Sequence, residues 1–309
     1  MRTFVLLDIP DSLVCFPSLK ILYLTVQIPC GDLLQKLFSN CNCPLLEDLS
    51  IEGDIEYEEN INDRLTFNIF VPTLLRLTIR LYSDNCGYVS GCKFVITAPN
   101  LQYLKIKDRS LGCFVVNEAP FLRNTYLDVG HCSLHRVVSK DKANYAMEPA
   151  VGVSCQCLLK WWRGDFPTFP NLIHLELNID PSFGWKLLPH FLSSSPNLKV
   201  LILKKERRRF CDRIMDDLNA SCDLEEYNPE ASIWIEPKTL PSCLSSHLEE
   251  IQIKDTSGKD DELEAIRYFL KYGVVLKKFS IGFRSRSKEH LKNEILMLPR
   301  GSMTCEIDF

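Results

Sequence analysis

The chain has 309 residues, of which 46% are hydrophobic and 25% are charged, and its formal net charge is −4. This composition is typical of a globular protein with a buried core, and so small a charge gives no general attraction to nucleic acid. No run of about 18 apolar residues occurs, and Asp8 and Pro10 interrupt the short apolar run at 4–7, so we predict neither a membrane span nor a secretory signal. We therefore expect an intracellular protein, in the cytoplasm or the nucleus.

A short phrase recurs along the chain: proline, any residue, leucine, two residues, leucine, one residue, then leucine or isoleucine. Copies begin at Pro17, Pro44, Pro72, Pro99, Pro170 and Pro196, with a weaker copy at Pro120 and copies without the proline at Ser246 and Val274. A period in the twenties built on this phrase is the signature of a leucine-rich-repeat solenoid. We predict an α/β fold, a horseshoe-like arc with a parallel sheet on one face.

The segments between the repeated phrases are predicted to differ along the chain. Residues 31–40 and 185–192 carry apolar side chains at helical spacing, although Pro189 makes the second helix short or kinked. Short strands that lead into a proline turn are expected at 67–71, 94–96 and 113–116. The predicted outer face is therefore mixed, helical near the ends of the arc and extended in its middle.

The C-terminal segment is predicted to combine helices and strands. A helix is expected to begin at Asp260 and to end at Gly273, and a second is expected to begin at Ser287. The repeat phrase at 274–281 lies between them, and a final strand is expected at 305–309. Because a terminal repeat must cover the open end of the core, this segment is interpreted as an α/β cap.

Three segments are predicted from these patterns. Residues 1–203 are the leucine-rich-repeat region, although 135–165 contains no clear copy of the phrase. Residues 204–232 are rich in charged side chains and are interpreted as a loop or linker. Residues 233–309 are the domain that caps the solenoid.

No catalytic or cofactor motif occurs in the sequence, so we predict a protein that is not an enzyme and that binds no cofactor. A dinucleotide fingerprint, a nucleophile elbow and a paired-histidine zinc motif are all missing. The fourteen cysteines are interpreted as reduced thiols in the core, with a metal site or disulfides as the alternatives. No metal site is predicted, since Cys41 and Cys43, like Cys155 and Cys157, lack the two-residue gap of a zinc knuckle.

The polar residues between the buried leucines are expected to point outward and to bind a protein partner. The candidate binding residues are Tyr23, Arg80, Lys105, Lys107, Glu176, Asn178 and Lys204. Arg80, Lys105 and Lys107 come from adjacent repeats, so we expect one cationic patch that faces an acidic segment of the partner. The alternative is that these side chains only keep the sheet soluble.

A basic cluster runs from Lys204 to Arg209. It supports an alternative function as a nuclear or nucleic-acid-associated factor, because such clusters serve as import signals or anion sites. A solvated loop after a strand explains the same residues. The net charge of −4 is evidence against nucleic acid, which is not expected as a partner.

Several phrases of the chain resemble those of one plant family. They are CPLLEDL at 43–49, APNL at 98–101, FPNL at 169–172, Trp234, Glu236-Pro237, Pro241-Ser242-Cys243-Leu244, and Pro299-Arg300-Gly301-Ser302 before Cys305. In this combination the chain resembles the plant F-box proteins that carry leucine-rich repeats and a C-terminal FBD domain. Residues 234–309 are similar to that FBD domain, and the resemblance covers nearly the whole chain.

The resemblance implies a function in protein recognition. Family members with an F-box are similar to the substrate receptors of SCF-type ubiquitin ligases, in which the repeats hold a substrate. The F-box should precede the first repeat, and this sequence begins within the repeats, so we expect neither an F-box nor direct binding to a ligase adaptor. The expected function is a non-enzymatic scaffold that resembles the substrate-recognition part of such a receptor.

Overall fold

The computed structural model describes most, but not all, of the chain. The described residues are 16–28, 43–55, 66–82, 93–108, 113–117, 119–129, 167–179, 184–205, 234, 236–284 and 289–309. The chain divides into two compact units, Met1–Asn171 and Leu172–Phe309. The helix predicted at 31–40, the stretch at 135–165 and the charged segment beyond Lys205 lie outside the described residues.

The first unit contains two parallel sheets whose strands alternate along the chain. The strands are β1 (Ile21–Ile28), β2 (Asp48–Ile55), β3 (Thr66–Phe70), β4 (Arg76–Tyr82), β5 (Lys93–Thr97), β6 (Tyr103–Asp108), β7 (Cys113–Asn117) and β8 (Asn124–Val129). The larger sheet holds the repeated phrases in the order β1-β2-β4-β6-β8, and the smaller sheet has the order β3-β5-β7.

The leucines of the phrase form the core beneath the larger sheet, because alternate residues of a strand face the same side. In β4, Leu77 and Ile79 are fully buried, whereas the residues on either side of them are partly or fully exposed. The parallel register places Leu77 between Leu49 and Leu104. Each such burial contributes about 1.5–3 kcal/mol to folding, so the aligned leucines account for the strict repetition of the phrase.

The smaller sheet has its own buried row of aromatic side chains. Phe67, Phe94 and Phe114 follow one another in register, and their ring centroids are 4.9 and 5.3 Å apart in stacked pairs. All three rings are buried. The prediction that the middle segments are extended rather than helical is confirmed by these strands.

Hydrogen bonds at the proline turn hold each repeat against the preceding one. The carbonyl of Glu47 accepts the backbone N–H groups of both Leu75 and Arg76, at 2.8 and 3.0 Å. The side chain of Asn100, directly after its proline, donates from Nδ2 to the carbonyl of Pro72 at 2.9 Å. The asparagine of the phrase therefore satisfies a turn carbonyl that the strands leave free.

The second unit combines a parallel sheet with helices. Its elements are β9 (His174–Ile179), α1 (Gly184–Ser194), β10 (Val200–Lys205), α2 (Ser242–Ser246), β11 (Glu250–Thr256), α3 (Asp260–Tyr272), β12 (Lys278–Phe283), α4 (Glu289–Leu296) and β13 (Glu306–Asp308). The strands lie in the order β9-β10-β11-β12-β13. The helices predicted at 185–192 and 260–273 are confirmed as α1 and α3, and the final strand as β13.

Within the second unit, the bonding pattern of the repeats continues into the C-terminal segment. The carbonyl of Lys199 accepts the N–H groups of Glu249 and Glu250, and the carbonyl of Glu249 in turn accepts those of Lys277 and Lys278. One pattern therefore joins β10, β11 and β12. An α/β fold with mainly parallel sheets is confirmed at this level, whereas the horseshoe-like arc and the three predicted segments stay predictions.

Candidate protein-interaction surface

The register of the larger sheet in the first unit arranges the outward side chains in two rows. The first row is Tyr23, Ser50, Thr78, Lys105 and Tyr126, and the second row is Thr25, Glu52, Arg80, Lys107 and Asp128. Adjacent members of a row are about 4.8 Å apart at the backbone. Each row is therefore a continuous polar strip across five strands.

Arg80 and Lys107 lie directly opposite each other on neighbouring strands, and both side chains are half-buried. Two like charges at opposed positions of a sheet are unfavourable unless something compensates for them. Neither cation forms an ion pair or hydrogen bond with another residue in the described part of the chain. The structure thus brings together two of the three cations of the predicted patch and leaves their charge available to a ligand.

Carboxylates border this cation pair on both sides, which the predicted patch did not include. Glu52 precedes Arg80 in the row and accepts a hydrogen bond from the Tyr82 hydroxyl at 3.1 Å. Asp128 follows Lys107, is buried, and accepts a bond from a tyrosine hydroxyl, at 3.5 Å. The charges along the row therefore run negative, positive, positive, negative.

The third predicted cation is held by an aromatic ring. The Lys105 ammonium lies 4.6 Å from the centroid of the Tyr126 ring, a distance at which a cation–π contact is favourable. Tyr23 stands on β1, two strands away from Arg80 and three from Lys107, and its side chain is 48% exposed. The two tyrosines therefore lie on the outermost strands of the row and give it aromatic ends.

The remaining predicted site residues lie in the second unit. Glu176 and Asn178 face outward on β9, and Lys204 lies opposite Asn178 on β10. On its other side Lys204 lies opposite Lys254 of β11. The seven candidates thus form two groups, one in each unit, and Lys254, an outward residue that is not one of the seven, is a neighbour of the second group.

Helix α3 contacts Trp234, which belongs to the C-terminal phrases that resemble an FBD domain. The ring centroid of Trp234 lies 5.3 Å from that of Tyr268 and 6.1 Å from that of Phe269. All three rings are buried, as are Cys243 and Leu244 of α2. The tryptophan and the cysteine–leucine pair are therefore core residues of the second unit rather than ligand-binding groups.

A family model described as FBD matches residues 236–281. An F-box/FBD/LRR-repeat protein of Arabidopsis thaliana is 31% identical over 310 residues, which cover 97% of this chain and 64% of that protein. The chain thus has an FBD match in its C-terminal part and is similar over nearly its whole length to plant F-box proteins that contain an FBD domain.

Two FBD-associated F-box proteins of the same plant show the same extent of similarity. One is 33% identical over 286 residues, covering 91% of this chain and 61% of the relative. The other is 28% identical over 312 residues, covering 99% and 66%. The chain thus spans a little under two thirds of the length of the curated relatives it matches. No solved structure matches the chain.

The residues that follow the FBD match close the segment onto helix α3. The N–H of Gly301 donates to the carbonyl of Leu270 at 2.7 Å, and the Ser302 hydroxyl donates to the carbonyl of Leu276 at 2.6 Å. A Cβ atom at position 301 would lie 2.5 Å from the carbonyl oxygen of Lys271, so only glycine permits this approach. The glycine and the serine of the arginine–glycine–serine phrase therefore have a structural role.

The thiol of Cys243 in the FBD segment is expected to be inert in the folded protein. Burial raises its pKa from 9.0 to about 12, so only about one thiol in ten thousand is ionised at pH 8. Because the folded pKa is the higher one, the stabilisation by the neutral thiol is complete below pH 9 and falls as the pH rises toward 12. Alkylation at pH 8, followed by mass spectrometry, should modify Cys243 only after unfolding in urea; equal rates in both states would contradict this.

Two kinds of feature are missing from the described part of the chain. No group of three or more histidine, cysteine, aspartate or glutamate side chains there is arranged to hold a metal ion. No helix there is long and apolar enough to cross a membrane.

Proposed function

We propose that the chain is a non-enzymatic, intracellular protein-interaction scaffold whose outward strand rows hold a protein partner. The observation that carries this proposal is the pair of half-buried cations, Arg80 and Lys107, opposed on neighbouring strands without a partner among the described residues. A rigid parallel sheet keeps these charges together at a cost to stability, and an acidic segment of a partner would offset that cost.

The neighbours of the pair favour a protein partner. Tyr23 and Tyr126 add aromatic surface in the adjacent row, and tyrosine and arginine are enriched where binding energy concentrates in protein interfaces. The bordering Glu52 would repel a polyanion that crossed the row but would accept hydrogen bonds from a peptide, and the buried carboxylate of Asp128 adds to the repulsion. This arrangement fits a mixed-charge protein segment better than a nucleic acid.

The names of the relatives support a more specific proposal. All of these names contain the F-box and the FBD, and one of them also contains leucine-rich repeats. By this likeness we propose that the chain corresponds to the substrate-recognition part of an SCF-type ubiquitin ligase receptor, and that its partner is a protein marked for ubiquitination. We further propose that the repeats form a leucine-rich-repeat solenoid, and that the FBD segment caps the repeats of the second unit.

Charge reversal of the cation pair tests the proposed function. The double variant Arg80→Glu/Lys107→Glu should lose at least 90% of the partner that the wild-type chain retains from an extract of its source tissue, because four adjacent acids would then repel an acidic segment. The readout is quantitative mass spectrometry of the retained proteins.

A matched control carries the same change in charge away from the row. Lys93→Glu/Arg123→Glu alters one side chain on the smaller sheet and one exposed side chain before β8, and it should retain the partner. If Arg80→Glu/Lys107→Glu retains as much partner protein as the wild type, this row does not bind the partner. Thermal unfolding of both variants verifies that each is folded.

A further inference from the structure

A second pair of opposed cations lies on the sheet of the second unit. The register places Lys204 of β10 directly opposite Lys254 of β11. Lys204 is exposed and Lys254 is half-buried, and neither forms an ion pair or hydrogen bond with the other described residues. As in the first unit, adjacent strands hold two like charges about 4.8 Å apart at the backbone without internal compensation.

This second row differs from the first in its charge. Asn178, a neutral residue, lies on the β9 side of Lys204. In the first unit the corresponding positions around the cations are Glu52 and Asp128. The row in the second unit therefore holds one neutral residue and two cations without a carboxylate at its paired positions, and its attraction for an anionic group is stronger for that reason.

An opening lies beside Lys254. Gly282 of β12 is exposed, and a Cβ atom placed there would lie 3.7 Å from the Cα atom of Lys254 and 3.7 Å from the carbonyl oxygen of Ile253. Since glycine has no side chain, nothing from position 282 covers the ammonium-bearing residue from this direction. The absence of a side chain leaves room for a group from a ligand.

We propose that Lys204, Lys254 and the opening at Gly282 form an anion-binding subsite that takes a glutamate or aspartate side chain of a protein partner. The proposal rests on the proposed function, because it assigns a second contact point to the same protein-binding faces. It also joins the repeat strand β10 to the FBD strand β11, so the family's C-terminal segment contributes directly to binding.

The neighbouring row favours a carboxylate of a protein over a nucleic acid. Glu176, Ile202 and Gln252 lie side by side there on β9, β10 and β11. Asp308 lies further along this row, opposite Ser280. A phosphate chain crossing the sheet would meet these two carboxylates, whereas a peptide would find an apolar side chain and an amide between them. A single acidic side chain therefore fits the pair of lysines best.

Binding of a labelled hexaglutamate peptide, measured by fluorescence polarisation at low salt, tests the subsite. The variant Lys204→Gln/Lys254→Gln should bind about tenfold more weakly than the wild type, since two charge-assisted contacts are removed. The control Lys199→Gln/Lys238→Gln removes the same charge from exposed positions and should change the affinity less than about twofold. The arginines at 207–209 are unchanged in both, so binding through them would survive.

Two variants at Gly282 test whether the opening takes part in binding. Gly282→Glu should weaken hexaglutamate binding about tenfold because the new carboxylate occupies the subsite, whereas the isosteric Gly282→Gln should weaken it about twofold. A Cβ atom fits at this position at ordinary contact distances, and thermal unfolding verifies the fold of each variant. Equal effects of the glutamate and glutamine variants would overturn the role of the opening.

Three results would overturn the proposal. The first is that the wild type does not bind hexaglutamate, and the second is that the two double lysine variants lose the same affinity for it. The third is that the wild type binds oligothymidylate more tightly than hexaglutamate and that Lys204→Gln/Lys254→Gln abolishes this binding. The last result would assign the site to nucleic acid. Arg80→Glu/Lys107→Glu should still bind hexaglutamate through the second unit, so a failure of this subsite is distinguishable from a failure of the proposed function.

Discussion

Removal of residues 260–309 is expected to abolish cooperative unfolding of the remaining chain. The deletion takes away α3, β12, α4 and β13, and it exposes one edge of β11. The deleted side chains that are at most 2% exposed include Ile266, Phe269, Leu270, Phe279, Ile281 and Ile295. Their burial contributes about 9–18 kcal/mol, which is comparable with the roughly 5–15 kcal/mol that stabilises a whole domain.

Calorimetry and light scattering of the 1–259 chain give the readout. We expect aggregation or a broad, non-cooperative transition. A single variant gives a milder form of the same test: Phe269→Ala should cost about 3–5 kcal/mol, whereas Phe309→Ala, at a side chain that is 43% exposed, should cost much less. A soluble 1–259 chain with a sharp transition would show that the C-terminal segment is an independent domain and not a cap.

The second large effect is expected at a buried carboxylate in the FBD segment. Glu262, in the first turn of α3, is 1% exposed. Its Oε2 atom accepts the hydroxyl of Thr256 at 2.6 Å and the backbone N–H groups of Ser257, Gly258 and Lys259 at 2.8, 2.6 and 3.2 Å. Gly258 has a φ of 73°, a conformation that favours glycine. One side chain therefore fixes the whole turn between β11 and α3.

The variant Glu262→Ala should lose about 3–5 kcal/mol of the free energy of unfolding, because the buried hydroxyl of Thr256 and the part-buried N–H groups of the turn would be left without their shared acceptor. Glu262→Gln should lose less, since it keeps the shape but not the charge. The control is Glu264→Ala on the same helix, whose exposed side chain lies 3.9 Å from Arg267 and should contribute within about 0.5 kcal/mol. Urea unfolding measures all three, and similar midpoints for the alanine variants at 262 and 264 would contradict this account.

The strands could be predicted because their signal lies within the phrase. Alternation of apolar and polar residues identifies each strand and its buried side, so Leu77, Ile79 and Arg80 were assigned to the faces on which they are found. The apolar runs before the prolines likewise identified the smaller sheet. In both cases a residue's environment follows from its immediate neighbours in the sequence.

The bordering carboxylates of the site could not be selected in the same way. Asp128 belongs to the weak copy at Pro120, in which Thr125 replaces a core leucine, although its eighth place after the proline matches that of Lys107. The bond from Tyr82 to Glu52 joins residues 30 positions apart in sequence. Such contacts depend on the register between strands, which one strand's pattern does not determine.

Two contacts in the second unit could not be predicted for the same reason. Gly301 is required because the chain passes the end of α3, and nothing in the adjacent residues shows this. The alternation of apolar and polar residues predicts that Lys254 faces outward, but only the register shows that it lies opposite Lys204. The sequence therefore predicted which residues face outward, and the packing of strands determined which of them share a site.

Site-specific photo-crosslinking tests the central claim, that the outward rows hold a protein partner, most directly. Benzoylphenylalanine at Thr78, which lies in the row between Ser50 and Lys105, should crosslink the partner in an extract. The same group at Phe70, an exposed position on the smaller sheet, should not. A crosslinked protein from position 78 alone is the predicted result, and a crosslink from position 70 with none from position 78 would contradict the account.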